Sequence, residues 1–225
     1  VACAGPLAGS YTIGTGGDFT TFAEVTTMLH NCGISSAVVF DVLPGTYAEN
    51  IVVDSIPGAS SVNTVKFRSQ TGLATDVVIL PTALNSDLSA VQFNNTDYVT
   101  WQNMTINGTA HAYVRGISLA NTNKALTLSG NIIHLPDVST SSTNIVGIYD
   151  AAGNDSALTI TNNTVNNGSY GMYLYGESST SLQPGTTISG NTINGFAYSG
   201  LRTYYMNTPV ISQNYVYTDT LTYSS

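Results

Sequence analysis

Charged residues are what this 225-residue chain has least of. They make up 8% of the sequence, against roughly one quarter in an average globular domain. Only five are lysine or arginine and the formal net charge is −8, so the chain has no basic stripe that could neutralise a phosphate backbone. We therefore expect no nucleic-acid partner.

Long apolar runs are missing as well. The longest, such as residues 37–40 and 77–80, fall far short of the roughly 20 residues that a membrane-spanning helix needs. We expect no membrane span in this sequence.

Cysteine is scarce too, because the chain has only Cys3 and Cys32, with no metal-ligand spacing near either. A disulfide between them would close a loop and restrain the unfolded chain by roughly 3 to 4 kcal/mol. Two buried thiols are the alternative. We predict the bridge because the composition is typical of a secreted protein, and we expect a secreted, extracellular or cell-surface location.

Asn, Thr, Ser, Gly and Tyr take the place of charge, and these residues suit turns and strands. One helix is predicted, from Thr21 to Asn31, with Phe22, Val25 and Leu29 on one face. Thr21 followed by Glu24 is a capping box. Beyond this helix, short runs of Val, Ile, Phe and Tyr alternate with turn residues, which predicts an all-β chain.

An apolar-x-x-Asn-x-apolar unit recurs in the second half of the chain, and residues 101–106 form an earlier, degenerate copy. Its asparagines are spaced by 32, 28 and 23 residues. Between the copies lies a second strand that begins with Gly and an apolar residue. The four asparagines of the predicted turn ladder are Asn131, Asn163, Asn191 and Asn214, and the four glycines are Gly116, Gly147, Gly171 and Gly200.

This repeat predicts a right-handed, single-stranded parallel β-helix, a solenoid in which each coil buries its apolar side against the next. We expect the asparagines to take left-handed backbone conformations at a sharp bend, and their side chains to hydrogen-bond along the column. A β-sandwich would also give short strands, but it would not need the same unit four times.

We interpret residues 1–225 as one domain, with a cap over residues 1–35 that includes the helix and with stacked coils over residues 36–225. Asn214 is followed by only eleven residues and no evident cap. We therefore expect the native chain to continue or this end to pack on a partner.

Residues 14–29 contain a Gly-Asp-Phe-Thr-Thr segment that leads into the predicted helix, and they resemble the opening of pectin methylesterase-type β-helices of the pectin-lyase-like class. Residues 45–53 resemble the next segment of that family. The stretch 6–67 also resembles secreted β-helix surface proteins of Bacteroidota-type bacteria. These resemblances imply the fold and a bacterial surface protein.

The catalytic segments of those esterases, Gln-Asp-Thr-Leu, Asp-Phe-Ile-Phe-Gly and Gly-Arg-Pro-Trp, do not occur in this sequence. Arg202 is followed by Thr203 and not by Pro-Trp. We therefore predict no catalytic residue, no metal ligand and no cofactor-binding residue.

Lyases and hydrolases of the class need clustered carboxylates, and Asp150, Glu177 and Arg202 are the best candidates here. If the glycine strands stack in register, Asp150 lies beside Leu174 on the core side, so we expect the carboxylates not to converge. We interpret Asp150 as the start of a turn through Asp155, and Glu177 as solvated.

The same alignment places Tyr149, Tyr173 and Arg202 in one outward column, and Tyr175 and Tyr204 in the next. Aromatic residues on a rigid sheet are suitable platforms for sugar rings, so these five residues are the candidate glycan-binding site. The alternative is that the tyrosines only stabilise the sheet by stacking on their cross-strand neighbours.

A short Asp-Ser/Thr-apolar motif occurs three times and resembles an O-glycosylation signal of Bacteroidota-type secreted proteins. The candidate acceptors are Ser55, Ser156 and Thr220.

We predict a non-enzymatic, structural or adhesive module that is secreted or displayed at the cell surface. Its expected partners are glycans or other subunits of the same protein, and it needs no cofactor. The alternative is a carbohydrate-active enzyme, an esterase, lyase or hydrolase, with a non-standard site.

Overall fold

The computed structural model describes residues 3, 5–82 and 89–218. The chain forms a right-handed parallel β-solenoid of about seven turns with one short α-helix near the N-terminus. The predicted fold class is therefore confirmed.

Three long parallel sheets run along the solenoid, because each coil contributes one strand to each sheet in turn. The first sheet contains Leu7–Ile13, Ile34–Val42, Val65–Ser69, Val99–Gln102, Thr127–Ser129, Thr159–Thr161, Thr187–Ser189 and Val210–Ser212. The second contains Ile51–Val53, Ser89–Asn94, Val114–Ala120, Ile145–Gly153, Tyr170–Gly176 and Ser199–Tyr204. The third contains Gly45–Tyr47, Val77–Ile79, Thr105–Asn107, Ile132–His134, Thr164–Asn166, Thr192–Asn194 and Tyr215–Tyr217. Gln183–Pro184 pairs with Met206–Asn207, and Ala74–Asp76 is a short 3₁₀ turn.

The α-helix spans Phe22–Cys32 and covers the N-terminal end of the coils. Its capping box forms as predicted: the Glu24 amide donates to Thr21 Oγ1 at 3.2 Å, and the Thr21 amide donates to the Glu24 carboxylate at 3.2 Å. The Cys3–Cys32 disulfide is present and ties the segment before the first strand to the end of the helix.

Apolar side chains at equivalent positions of the first sheet stack through the centre of the solenoid. The N-terminal part of this column is aromatic. The ring centroids of Phe40 and Phe67 are 4.9 Å apart in a stacked arrangement, and those of Phe67 and Trp101 are 5.4 Å apart. Aliphatic residues continue it toward the C-terminus, namely Leu128, Ile160, Ile188 and Ile211. Burying each such side chain contributes roughly 1.5 to 3 kcal/mol, so the column is a major part of the core.

The recurring asparagines form a side-chain ladder inside the turn between the first and third sheets. Asn163 Oδ1 accepts from Asn131 N at 3.0 Å and from Asn131 Nδ2 at 2.9 Å, while Asn163 Nδ2 donates to Leu128 O at 2.9 Å. The same pattern links Asn163 to Asn191 and Asn191 to Asn214. In the degenerate copy, the Met104 amide donates to Asn131 Oδ1 and so begins the ladder without a side-chain amide.

The expectation that these asparagines are left-handed is wrong, because the left-handed residue is the one immediately before each of them. Its φ is 64° at Gly130, 56° at Asn162, 68° at Gly190 and 56° at Gln213. The bend is thus made one residue earlier, which leaves the ladder residue free to point its amide inward. Glycine alternates with larger residues here because a Cβ at Gly190 would meet Asn162 Oδ1 from the preceding coil.

The four predicted glycines stack in register along the second sheet. They are needed for space, since a Cβ at Gly147 would meet the Val165 side chain and the Gly171 carbonyl oxygen. The column is therefore a line of close approach between the second and third sheets.

The last described coil leaves its apolar side chains uncovered by any described residue. Ile211 is 45% exposed and Val216 is 41% exposed, whereas their register partners one coil earlier, Ile188 and Ile193, are fully buried. Among the described residues, no helix has the length and apolar character needed to cross a membrane.

We expect replacement of Asn163 by alanine to lower the free energy of unfolding by about 3 kcal/mol, because it leaves two donors of Asn131 without their acceptor in the interior. Denaturant titration followed by circular dichroism measures this. Asn207→Ala is the matched control, since Asn207 is exposed. Equal stability of the two variants would show that the ladder does not stabilise the fold.

Candidate functional site

The outward face of the second sheet carries an aromatic surface that we call the tyrosine patch, defined as Tyr149, Tyr173, Tyr175, Arg202 and Tyr204. The strand register pairs Tyr149 with Tyr173, Tyr173 with Arg202, and Tyr175 with Tyr204. The columns derived from the glycine alignment therefore exist in the structure. Parallel pairing brings equivalent side chains of successive coils together, which is why one alignment places all five.

The rings of the patch contact one another as a continuous stack. Tyr149 and Tyr173 stack with centroids 5.7 Å apart and planes at 21°, and Tyr173 stacks on Tyr175 at 6.0 Å and 9°. Tyr175 and Tyr204 are tilted at 5.0 Å. The inner ring faces are thus occupied by other rings, while Tyr204 at the end of the stack remains 39% exposed.

Arg202 holds its end of the patch in place. Its Nη2 donates to the Tyr204 hydroxyl at 2.8 Å, and its Cζ lies 4.9 Å from the Tyr204 ring centroid and 5.6 Å from that of Tyr173. These contacts combine a charge-assisted hydrogen bond with cation–π attraction. They fix a guanidinium beside Tyr204, the most exposed of the four tyrosines of the patch.

Four further residues belong to this surface and were not predicted. Arg115 Cζ lies 3.7 Å over the Tyr149 ring, and its Nε donates to the Thr143 carbonyl at 2.9 Å. Tyr170 packs edge-on against Tyr173, and Tyr205 packs edge-on against Tyr175. Tyr198, 59% exposed, lies against Tyr170. The position of Tyr170 directly before Gly171 is a sequence signal that could have placed it near the patch.

The phenols of Tyr173 and Tyr175 stay neutral and act as hydrogen-bond donors and acceptors. Burial raises the pKa of Tyr173, and the Tyr205 side chain, ahead of burial, raises the pKa of Tyr175. The Tyr204 hydroxyl raises the pKa of Arg202, which therefore stays charged. The patch offers ring edges, hydroxyls and a cation, which suits binding of a polar, ring-shaped ligand better than acid–base chemistry.

A pair of buried carboxyl groups lies beneath the same sheet. Asp150 faces the core beside Leu174, as predicted, and both Asp150 and Asp155 are almost fully buried. The interpretation of Asp150 as the start of a turn is wrong, since it lies within the strand Ile145–Gly153. Glu177 is exposed and is not part of the pair.

Burial makes both carboxyls costly to ionise, and Asp155 adds to this cost for Asp150. Burial, followed by the nearby Asp155, raises the pKa of Asp150 well above its usual value. Burial also raises the pKa of Asp155 to about 6, although the Asn123 amide groups hydrogen-bond to its Oδ1 and oppose the shift. Acidic groups with strongly shifted pKa values often mark functional sites. This pair, however, points into the interior, away from the surface where a polysaccharide could bind.

The candidate glycosylation sites differ in exposure. Ser55 is exposed, Ser156 is half-buried, and Thr220 lies outside the described residues. Across residues 3, 5–82 and 89–218, no group of three or more His, Cys, Asp or Glu side chains is placed to hold a metal ion.

One family model and the fold of one solved structure agree with the β-helix. Residues 144–220 match a family described as a right handed beta helix region. The solved structure of the pectin methylesterase from Aspergillus niger in deglycosylated form is 16% identical, with 98% of this chain and 69% of that chain covered and a TM-score of 0.58. The penultimately deglycosylated form of that enzyme is 12% identical, with 100% and 93% covered and a TM-score of 0.48. No curated protein matches the sequence.

The resemblance to pectin methylesterase-type β-helices is therefore confirmed at the level of fold. The glycan-binding role of the tyrosine patch, the glycosylation sites and the secreted location stay predictions.

The raised pKa values of Asp150 and Asp155 predict that the free energy of unfolding falls as pH rises, the reverse of the usual effect of carboxyl groups. The prediction is for protein treated with a chelator, so that no metal ion is bound to the carboxyls. A pKa raised in the folded state stabilises the protein below its unfolded value of 3.8, and this contribution is lost as pH rises through about 6. A rise of about two pH units corresponds to about 3 kcal/mol for Asp155. We therefore expect the free energy of unfolding to fall between pH 5 and pH 7.5.

Denaturant titrations across this range in a chelating buffer test the effect. Asp150→Asn should flatten the profile, because it removes one of the two interacting charges, whereas the exposed Asp137→Asn should not. A profile that rises toward pH 7.5 in the wild-type protein would contradict the raised pKa values.

Proposed function

We propose that this chain is a non-enzymatic β-helix module, secreted or displayed at the cell surface, whose tyrosine patch binds glycans. The observation that carries the proposal is the continuous stack of rings on a rigid parallel sheet, with the guanidinium of Arg202 hydrogen-bonded at its exposed end. Tyrosine supplies a large contact area at low conformational cost, which suits such a surface for recognition.

Stacking and binding are compatible uses of the same side chains. The ring–ring contacts stabilise the sheet by a few tenths to about 1 kcal/mol per cross-strand pair. A ligand would use what stacking leaves accessible: the faces of Tyr198 and Tyr204, the hydroxyls along the stack, and the Arg202 guanidinium. Sugars offer ring hydroxyls for the polar groups and C–H faces for the rings, so a glycan fits this combination.

A secreted or surface location is supported by the Cys3–Cys32 disulfide, because such bonds persist in oxidising compartments. The structural or adhesive part of the proposal is supported by repetition: the ladder, the glycine column and the tyrosine stack each continue from coil to coil. Repeated faces present extended binding surfaces.

The enzymatic alternative requires ionisable groups that converge on a substrate. Glycoside hydrolysis needs two carboxyls that flank the bond to be broken. The buried pair of this chain, Asp150 and Asp155, lies on the inner side of the sheet, whereas the tyrosine patch lies on the outer side. The fold likeness to pectin methylesterase does not supply the missing esterase segments, so binding is the better-supported function.

Screening a glycan panel against the immobilised protein, followed by calorimetric titration with the best ligand, tests the proposal. We expect Tyr204→Ala to weaken binding at least tenfold, because it removes the exposed ring and the acceptor of Arg202. Tyr215→Ala is the matched control, since Tyr215 is an exposed tyrosine of the third sheet.

No ligand in the panel, or equal binding by both variants, would refute a role of the patch in glycan recognition. Release of shorter or de-esterified products from a polysaccharide during the same incubation would refute the non-enzymatic assignment.

A further inference from the structure

The buried carboxyl pair is created by a local irregularity in the second sheet. The strand Ile145–Gly153 pairs in register with the next coil up to Ala151, and then the register shifts so that Gly153 pairs with Gly176. Such a bulge re-aims the residues around it. Here it turns the chain so that Asp155 enters the interior close to Asp150.

The polar atoms gathered at this point are left without hydrogen-bond partners. Both carboxylate oxygens of Asp150, Oδ2 of Asp155, and both polar atoms of the Gln183 side chain are buried and unpaired. Gln183 is fully buried and lies beside Asp150. The Gly153 amide and the Gln183 side chain approach the Asp150 carboxyl closely enough to lower its pKa against the effect of burial, but neither completes a hydrogen bond of ordinary geometry. Buried polar groups without partners are costly, so this cluster points to a missing ligand.

The oxygens surround a small space at Gly153. A Cβ on this residue would lie 2.7 Å from Asp150 Oδ1, 2.9 Å from the Asn121 carbonyl oxygen and 3.4 Å from Asp155 Oδ1. Three oxygen atoms from three residues thus crowd one side of Gly153, where any side chain would displace them. Glycine keeps this cradle open.

Charge decides what kind of ligand fits. One proton shared by the carboxyls would leave a net negative charge in the core and would supply one donor to several acceptors. A divalent cation neutralises both carboxylates and accepts all the oxygens as ligands at once. The donor set contains only oxygen atoms, which suits a hard cation and not a transition metal.

We propose that Asp150, Asp155, Gln183 and the Asn121 carbonyl bind a Ca²⁺ ion inside the solenoid. Ca²⁺ accepts six to eight oxygen ligands in irregular geometry, including bidentate carboxylates and amide carbonyls, and Asp150 has both of its oxygens available. Mg²⁺ demands near-ideal octahedral geometry and retains several waters, so it suits this enclosed set less well.

The ion would add an ionic link between coils that are otherwise held together by hydrogen bonds and apolar packing. Asp155 Oδ1 accepts from Asn123, whose own Oδ1 accepts from the Thr96 amide one coil earlier. Gln183 comes from the following coil. A cation at this point would tie a second line of buried polar side chains together, on the inner side of the strands that carry the tyrosine patch. The proposal of this site does not rest on the proposed glycan binding.

Elemental analysis of protein purified without chelator provides the first test. We expect about one calcium per chain, which chelator treatment and desalting remove. Adding Ca²⁺ back at pH 7.5 should raise Tm by several degrees, increasingly with concentration, because the ion binds only the folded chain. Mg²⁺ at the same concentration should raise it much less.

The variants separate this site from adventitious binding. Asp150→Asn and Asp155→Asn keep the shape of the side chains and should abolish the calcium-dependent rise in Tm, while Asp137→Asn should retain it. Metal-free purified protein whose Tm does not respond to Ca²⁺ would overturn the proposal, and so would a response that both buried-site variants retain. The wild-type measurements decide the matter even where a variant fails to fold.

Discussion

The structure depends on one constraint: in a parallel solenoid, a buried polar group of one coil is satisfied by the neighbouring coil. The asparagine ladder shows how this works, because Oδ1 of Asn163, Asn191 and Asn214 each accepts two hydrogen bonds from the coil before it, and every ladder Nδ2 donates to a carbonyl there. No single coil can complete this pattern. The aromatic and aliphatic columns follow the same rule with apolar surface in place of hydrogen bonds, so stability grows by addition of coils and not by closure of a globular core.

This constraint also explains what could be predicted from the sequence. Parallel in-register pairing means that a residue type needed once is needed again one coil later, so recurring Asn and Gly revealed the fold and aligned Tyr149 with Tyr173. The helix was predictable for a different, local reason, since the Thr21–Glu24 capping box involves only neighbouring residues. The left-handed bend was placed one residue late because the sequence pattern marks the side chain that hydrogen-bonds and not the backbone that turns.

Contacts between residues at non-equivalent positions of neighbouring coils could not be predicted from the repeat. Arg115 is the register partner of Val146 in the second sheet, but its guanidinium lies over the ring of Tyr149. No alignment of equivalent positions shows this diagonal contact. The meeting of Asp150 and Asp155 depends on a bulge, and a bulge shifts every later residue relative to the repeat. Irregular positions in a regular array are therefore where sequence reasoning fails and where specific chemistry is concentrated.

The tyrosine patch and the buried carboxyl pair lie on the same strands. Side chains along these strands point alternately outward and inward, and this alternation couples the two features. In Ile145–Gly153, Tyr149 points outward into the stack while Asp150 points inward to the buried oxygens, and the next coil continues with Tyr173 outside and Leu174 inside. Because successive residues of a strand face opposite sides, the backbone cannot adjust to the interior site without moving the adjacent ring. If both proposals hold, an ion that neutralises the buried carboxyls would also make the outer surface more rigid, and a rigid surface loses the least entropy when it binds.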